Sequence, residues 1–178
     1  MVCNERDIRH EQALDVAKSM LVAARTAPKG KGIDIIECAI VEGNEKEQLA
    51  SEMEVISEET GYKFFLRDAN NVRTSECVVI IGTRDKLQGL NCGHCGFSTC
   101  GEKPSSVPCE INSVDVGIAL GSAASLATDR RVDTRIMFSA GLAAQRLQFL
   151  GEDVRQVYAI PVSISSKSPF FDRTFEKK

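Results

Sequence analysis

Four cysteines, Cys92, Cys95, Cys100 and Cys109, stand in the pattern C-x2-C-x4-C-x8-C. Thiolates are soft ligands, and four of them gathered by short loops can hold a tetrahedral zinc or an iron–sulfur cluster. Gly93, Gly96 and Gly101 each follow a cysteine directly. Backbone that folds tightly around a bulky object needs positive φ, which glycine adopts without strain. Amide N–H groups freed in such turns can point at the sulfurs of a cluster and tune its potential. The order of preference from spacing and glycines is therefore a [4Fe–4S] cluster, then zinc, then a [2Fe–2S] cluster.

The competing motifs are weaker matches. A zinc ribbon uses two C-x2-C knuckles, and only Cys92 and Cys95 form one. A zinc knuckle for single-stranded nucleic acid wants basic and aromatic neighbours. Between Leu87 and Ile111 the charged residues are Glu102, Lys103 and Glu110, and Phe97 is the sole aromatic. A Rieske centre needs two histidine ligands; His94 lies in the loop, but the other histidine, His10, has no cysteine beside it except in the terminal segment. His94 is expected to face solvent or to donate a hydrogen bond behind the ligands. The seven cysteines are an odd number, so metal binding outranks a disulfide framework. Cys38 and Cys77 sit in apolar runs and read as small buried hydrophobes, while Cys3 lies in the terminal segment.

Composition narrows the class of protein. The 178 residues suffice for one domain with a real core. A net charge of −3 supplies no global basic field for nucleic acid, and 6% aromatic residues with no Trp leave few stacking platforms. The N-terminal MVCNERDIRHEQ carries charges where a secretory signal needs an apolar core, and no stretch has the apolar length of a membrane span. The expectation is a soluble cytoplasmic protein.

Helices and strands must position the cysteines. Ala13, Leu14, Ala17, Met20, Leu21 and Ala24 mark the apolar face of a helix over about 7–27, ended by Pro28 and Gly30. Ile33 to Val41 predicts a strand covered on both faces. Asn44 and Glu47 have the spacing of a capping box for a second helix with Leu49, Met53 and Ile56 inward and Gly61 at its end. Residues 62–75 are open between helix and strand, and Cys77 to Gly82 predicts a buried strand. Residues 83–110 have almost no periodicity, and a connection that long needs something to organise it. Asn112 and Asp115 then start a helix with no further charge until Asp129, expected to be buried nearly all round, slim at Gly117 and Gly121. RIMF predicts a short strand, Ser139 to Leu150 a helix with Ala140, Ala143, Leu147 and Leu150 inward, and Ile160, Val162 and Ile164 a strand that Pro161 confines to an edge or a strand start. Alternating strands and helices predict a layered α/β (α+β) fold in a single domain, 1–178, with 84–110 as a cysteine-rich cluster-binding insertion.

The stretch CGHCGFSTC resembles the C-G-x-C-G-x-x-x-C segment of [4Fe–4S] domains in Rnf-type electron-transport subunits and corrinoid iron–sulfur proteins. The resemblance implies cluster ligation by Cys92, Cys95, Cys100 and Cys109. The last spacing is shorter here than in those families, which makes Cys77 the alternative fourth ligand. Over its length, through AARTAPKGKG, the cysteine segment, DVGIALGSAASLA and SPFFDR, the chain resembles a prokaryotic family of uncharacterised ferredoxin-domain proteins. AARTAPKGKG and the slim helix are also distantly similar to flavin-dependent nitroreductases, which implies a nitroreductase-like fold and a homodimer. The arginine-serine-x-arginine phosphate clamp and the Gln-Pro-Trp of those enzymes are missing. Arg25, Lys29 and Lys31 remain to meet an FMN phosphate, against the plainer expectation of a solvated basic loop at a helix end.

Three functions follow as expectations: an iron–sulfur protein passing electrons to a redox partner, a flavin-plus-cluster oxidoreductase, and a binding module pinned by structural zinc. No nucleophile or general base is singled out. Asp115 and Asp129 read as helix-end residues, and Asp133, Arg135, Asp172 and Arg173 as solvated or paired.

Overall fold

The computed structural model describes residues 1–171. An antiparallel sheet at its centre has the order β1-β2-β4-β3, from β1 (Ile36–Val41), β2 (Cys77–Arg84), β3 (Asp133–Thr134) and β4 (Val154–Ser163). The run CVVII gives β2 its place in the middle. Its β-branched side chains suit a pleated strand buried on both faces, and the period of two divides them. Val78 and Ile80 enter one core cluster, while Cys77, Val79 and Ile81 enter the other. The helices α2 (Gly43–Thr60), α3 (Phe64–Thr74) and α5 (Phe138–Arg146) cover the first face, and α1 (Glu5–Thr26) and α4 (Glu110–Asp129) cover the second. The result is three layers, helices on both sides of one sheet.

Helix α1 follows the expected stripe, with Ala13, Ala17, Met20 and Ala24 fully buried, and Asn4 caps its start by accepting from the Arg6 N–H at 3.1 Å. The expected capping box of α2 does not form. The helix begins at Gly43, so Asn44 is already inside it, and Glu47 instead pairs with Arg73 at 2.8 Å. Gly61 ends α2 at φ 75° as expected. Residues 64–74 resolve as a helix whose buried face includes the polar Asp68 and Asn71. Asp68 is there because it accepts a 2.6 Å hydrogen bond from Ser139 of α5.

Four other expectations are corrected. Strand β1 starts at Ile36 and runs along the sheet edge, half-buried over most of its length. Strand β4 is internal rather than an edge. Ala159 exchanges hydrogen bonds with Met137, so Pro161, two residues on, turns its nitrogen to that same side. The ladder is interrupted there, between the Met137–Ala159 bridge and the Thr134–Val162 pair, where proline has no N–H to donate. Instead of RIMF, the paired residues are Asp133 and Thr134, with Met137 as an isolated bridge, and α5 stops at Arg146, leaving Leu147 and Leu150 in a turn.

Candidate metal centre

The cysteine segment fills the connection from Arg84, the end of β2, to Glu110, the start of α4. Cys92, Cys95, Cys100 and Cys109 all line one narrow hollow, with Leu87, Asn91, Phe97, Lys103 and Glu110 among its walls. No group of three or more His, Cys, Asp or Glu among the described residues converges on a point suited to a single metal ion. The thiols instead surround a shared space.

Local sequence explains how they reach it. Gly93 and Gly96 have φ 73° and 87°, the left-handed turns expected after Cys92 and Cys95. The Gly96 N–H closes the intervening turn onto the Gly93 carbonyl at 2.9 Å. Gly101, by contrast, keeps ordinary backbone. Asn91 is left-handed too, at φ 47°, a conformation Asn tolerates through local hydrogen bonding. It makes a two-way clasp with Cys100. The Cys100 N–H donates to Asn91 Oδ1 at 2.8 Å, and the Asn91 N–H donates to Cys100 Sγ at 3.4 Å. Cys109 occupies the N-cap position of the 20-residue α4. The partial positive charge of that helix end therefore lies beside its thiol.

The remaining cysteines stand apart. Cys77 is 0% exposed, at the opposite end of β2 from the loop, roughly 23 Å away at the rise of an extended strand. Burial pushes its thiol up to about 12. It is a core residue, and the hollow takes Cys109. Cys38 is only half-buried on β1, where burial raises its thiol against the pull of Arg25. Cys3 and His94 are exposed. His10 lies 3.3 Å from both Glu42 and Glu76, remote from the cysteine segment in the chain.

The loop is braced from behind. Asn112, inside α4 rather than capping it, accepts from Gln88 at 3.1 Å and donates to the Lys86 carbonyl at 2.7 Å. Asp115 is buried and accepts the Gly30 N–H through both oxygens, at 2.9 and 3.1 Å. Gly30 is required for this approach, since a Cβ there would stand 2.5 Å from Ile111 Cγ2. Lys31 donates to the Gln88 carbonyl at 3.0 Å.

The basic residues of AARTAPKGKG are engaged within the chain, while Arg25 and Lys31 stay exposed to solvent as expected. Arg25 binds Asp34 at 2.8 Å and the Ile36 carbonyl at 2.7 Å. The Lys29 ammonium caps α1, donating to the carbonyls of Ala24, Arg25 and Ala27 at 2.6–2.7 Å, and burial lowers its pKa. As a phosphate clamp for FMN these three cations do not fit. Nor is α4 buried all round: Val114, Gly117, Ile118, Gly121 and Ser125 form an exposed strip along one side. Asp133 and Arg135 are partly buried, with Arg135 donating to the Phe170 carbonyl at 3.2 Å and lying over the Phe171 ring; Asp172 and Arg173 fall outside the described residues. Sequence spacing found the four cysteines but passed over Asn91, Lys103 and Glu110. A lone cation in a charge-poor loop was the available signal for Lys103.

Helices on both faces of an antiparallel sheet, with the long connection after β2, define a nitroreductase-like architecture. A nitroreductase-like protein from Streptococcus mutans superposes with a TM-score of 0.61 at 15% identity, over 93% of this chain and 83% of that one. A nitroreductase with bound FMN from Desulfitobacterium hafniense DCB-2 gives 0.61 at 14% identity, over 86% and 78%. At such identities the likeness concerns the fold alone. The chain belongs to a family described as uncharacterized proteins containing a ferredoxin domain (DUF2148), whose pattern matches residues 105–173. That stretch includes Cys109 and begins after Cys100. Along its whole length the chain is similar to an uncharacterized protein of Archaeoglobus fulgidus, 41% identical over 99% of this chain and all of the relative.

Proposed function

We propose that Cys92, Cys95, Cys100 and Cys109 hold a [4Fe–4S] cluster and that the protein exchanges single electrons with a redox partner protein. The observation that carries this is the hollow lined by all four thiols. Left-handed glycines directly after Cys92 and Cys95 support a chain wrapped around a bulky cluster over a single zinc. The ferredoxin-domain family supports iron–sulfur chemistry in the same direction. A bound cluster supplies one-electron transfer. The chain's own contributions are four ligands, the Asn91 N–H aimed at Cys100 Sγ, and the positive end of α4 at Cys109. The exposure of Cys92 opens one side of the hollow to solvent, which suits exchange with a transiently docked protein. On this proposal the segment 84–110 is a cluster-binding insertion in a one-domain chain. Anaerobic purification followed by iron, sulfide and zinc analysis tests it. Iron and sulfide in stoichiometric amounts are expected, and zinc without sulfide would return the site to a structural role.

A flavin-plus-cluster oxidoreductase is favoured by one observation, the fold shared with a protein that binds FMN. It requires a phosphate site other than Arg25, Lys29 and Lys31. The exposed small-residue strip on α4 supports a homodimer in either case, since nothing lies within 4 Å of a Cβ added at Gly117 or Gly121. Flavin fluorescence after denaturation and sedimentation of the native protein decide these two points.

A further inference from the structure

Lys103 is an unusual residue to find where it is. Lysine is among the residue types least often buried, and its long stem ordinarily lets the ammonium reach water. Here only 9% of the residue is exposed. The ammonium turns back onto its own loop, donating to the carbonyl of Pro104 at 3.1 Å and to that of Val107. Those carbonyls are themselves fixed, because the Val107 N–H closes a turn onto the Pro104 carbonyl at 3.0 Å. Two neutral acceptors satisfy donors but leave the positive charge unmatched. Among the described residues no carboxylate lies within ion-pair distance of Lys103. What lies beside it is the hollow lined by four thiols, of which Lys103 also forms a wall. A buried cation on the wall of a hollow lined by four groups that ligate as thiolates is a complementary arrangement.

We propose that Lys103 is the charge complement of the cluster, holding its reduction potential up. The inference rests on the cluster assigned above and adds to it the residue that sets its electronic balance. Four thiolates outweigh the positive charge of an iron–sulfide core, so the ligated cluster is an anion, and accepting one electron makes it more so. A fixed positive charge in a poorly solvated wall stabilises the reduced state more than the oxidised one. No bond forms or breaks at Lys103, and no proton moves there; only the electron count of the neighbouring group changes, the electron coming from an external one-electron reductant. Glu110, on the same wall, opposes this effect, and the N-terminal end of α4 reinforces it. Lys103 is the one lysine or arginine between Leu87 and Ile111.

The test compares full-length wild type, Lys103→Gln and Lys103→Arg, purified anaerobically. Iron and sulfide are counted, and the midpoint potential is found by dithionite titration followed optically and by electron paramagnetic resonance. Lys103→Gln is expected to keep its iron and sulfide and titrate at a lower potential, with Lys103→Arg close to wild type. Equal potentials in all three proteins at full iron would overturn the proposal, as would a fall in Lys103→Arg as large as in Lys103→Gln. Should Lys103→Gln take up no cluster, Lys103→Arg decides. Loading at the wild-type potential supports the charge, and failure to load makes Lys103 a brace for its turn and overturns the idea. Wild type without iron or sulfide is a separate outcome, which overturns the cluster assignment itself.

Discussion

The clasp between Asn91 and Cys100 makes a two-part prediction, because Asn91 contributes both a side-chain acceptor and a left-handed backbone. Replacement by alanine removes the 2.8 Å hydrogen bond to the Cys100 N–H, a loss of about 1 kcal/mol. It also places a Cβ-bearing residue at φ 47° with no polar side chain to ease it, a cost of about 1–2 kcal/mol. Replacement by glycine removes the same hydrogen bond but suits the same backbone, so the loss is about 1 kcal/mol. The Asn91 N–H still points at Cys100 Sγ in both variants, which leaves ligation itself untouched.

If the cluster leaves through opening of the loop, its release accelerates by the factor the loop loses in stability. At 1.4 kcal/mol per tenfold, Asn91→Ala should release iron roughly 30- to 150-fold faster than wild type and Asn91→Gly about 5-fold faster. The assay is transfer of ferrous iron to an excess of coloured chelator under anaerobic conditions. Proteolysis of the 85–109 segment, followed by mass spectrometry, provides the same ranking without relying on iron. A glycine variant as fast as the alanine variant would refute the backbone half of this reasoning, and an alanine variant indistinguishable from wild type would refute all of it.

Cys109→Ser should lower bound iron sharply, whereas Cys77→Ser should retain it and instead lose about 1–3 kcal/mol of stability by burying a hydroxyl in the core, read by metal analysis and thermal melting. With burial holding its thiol at about 12, Cys77 should resist iodoacetamide at pH 8 in the native protein and react once it is unfolded. Gly141→Ala sets a Cβ 2.0 Å from the Val157 carbonyl oxygen, a contact no rotamer relieves, so α5 must move off β4. A cost of about 3 kcal/mol should lower the melting temperature by about 6–12 °C, and a shift under about 2 °C would contradict the close packing. Burial works to raise the Asp34 pKa, but the Arg25 guanidinium and the Ile36 N–H outweigh it and hold the carboxyl below its ordinary range. A depressed carboxylate contributes stability above its unfolded pKa and loses it as pH falls through the folded one. Melting of wild type should therefore fall more steeply below about pH 4 than melting of Asp34→Asn.

What could be read from the sequence was whatever had a single physical cause. The stripes of α1 and α2 and the run of β2 answer only to burial, and each lies close to where periodicity puts it. Helix α3 was hidden because Asp68 and Asn71 sit on its inward face, where a pattern of apolar residues cannot see them. The Asn44–Glu47 spacing misled because capping depends on where the chain enters the helix, and Glu42, half-extended at ψ 177°, already occupies that place. Pro161 correctly marked a missing hydrogen bond, yet the gap proved to be on one side of an internal strand. At the site, ligand spacing was local and visible. The clasp by Asn91 and the burial of Lys103 depend on how a loop without periodicity folds back on itself, which residue spacing does not encode.

The marks of AARTAPKGKG and DVGIALGSAASLA, separate in the chain, are one device in space. Gly30 donates to Asp115, Ser122 donates to the Ala23 carbonyl at 2.9 Å, and Lys31 reaches the Gln88 carbonyl in the cysteine segment. Bonds of this kind fix α1 and its following turn against α4, whose N-cap is Cys109. A loop of 25 residues between Arg84 and Glu110 has little apolar area with which to order itself; its two ends continue into β2 and α4, and its first residues are tied to α4 through Gln88 and Lys86. Gly30 is therefore explained by its close approach to Ile111 and Asp115 of α4, whereas Gly117 and Gly121 lie on the exposed side of that helix. Within AARTAPKGKG, Gly30 and Lys31 tie the turn after α1 to α4 and to the start of the cysteine segment.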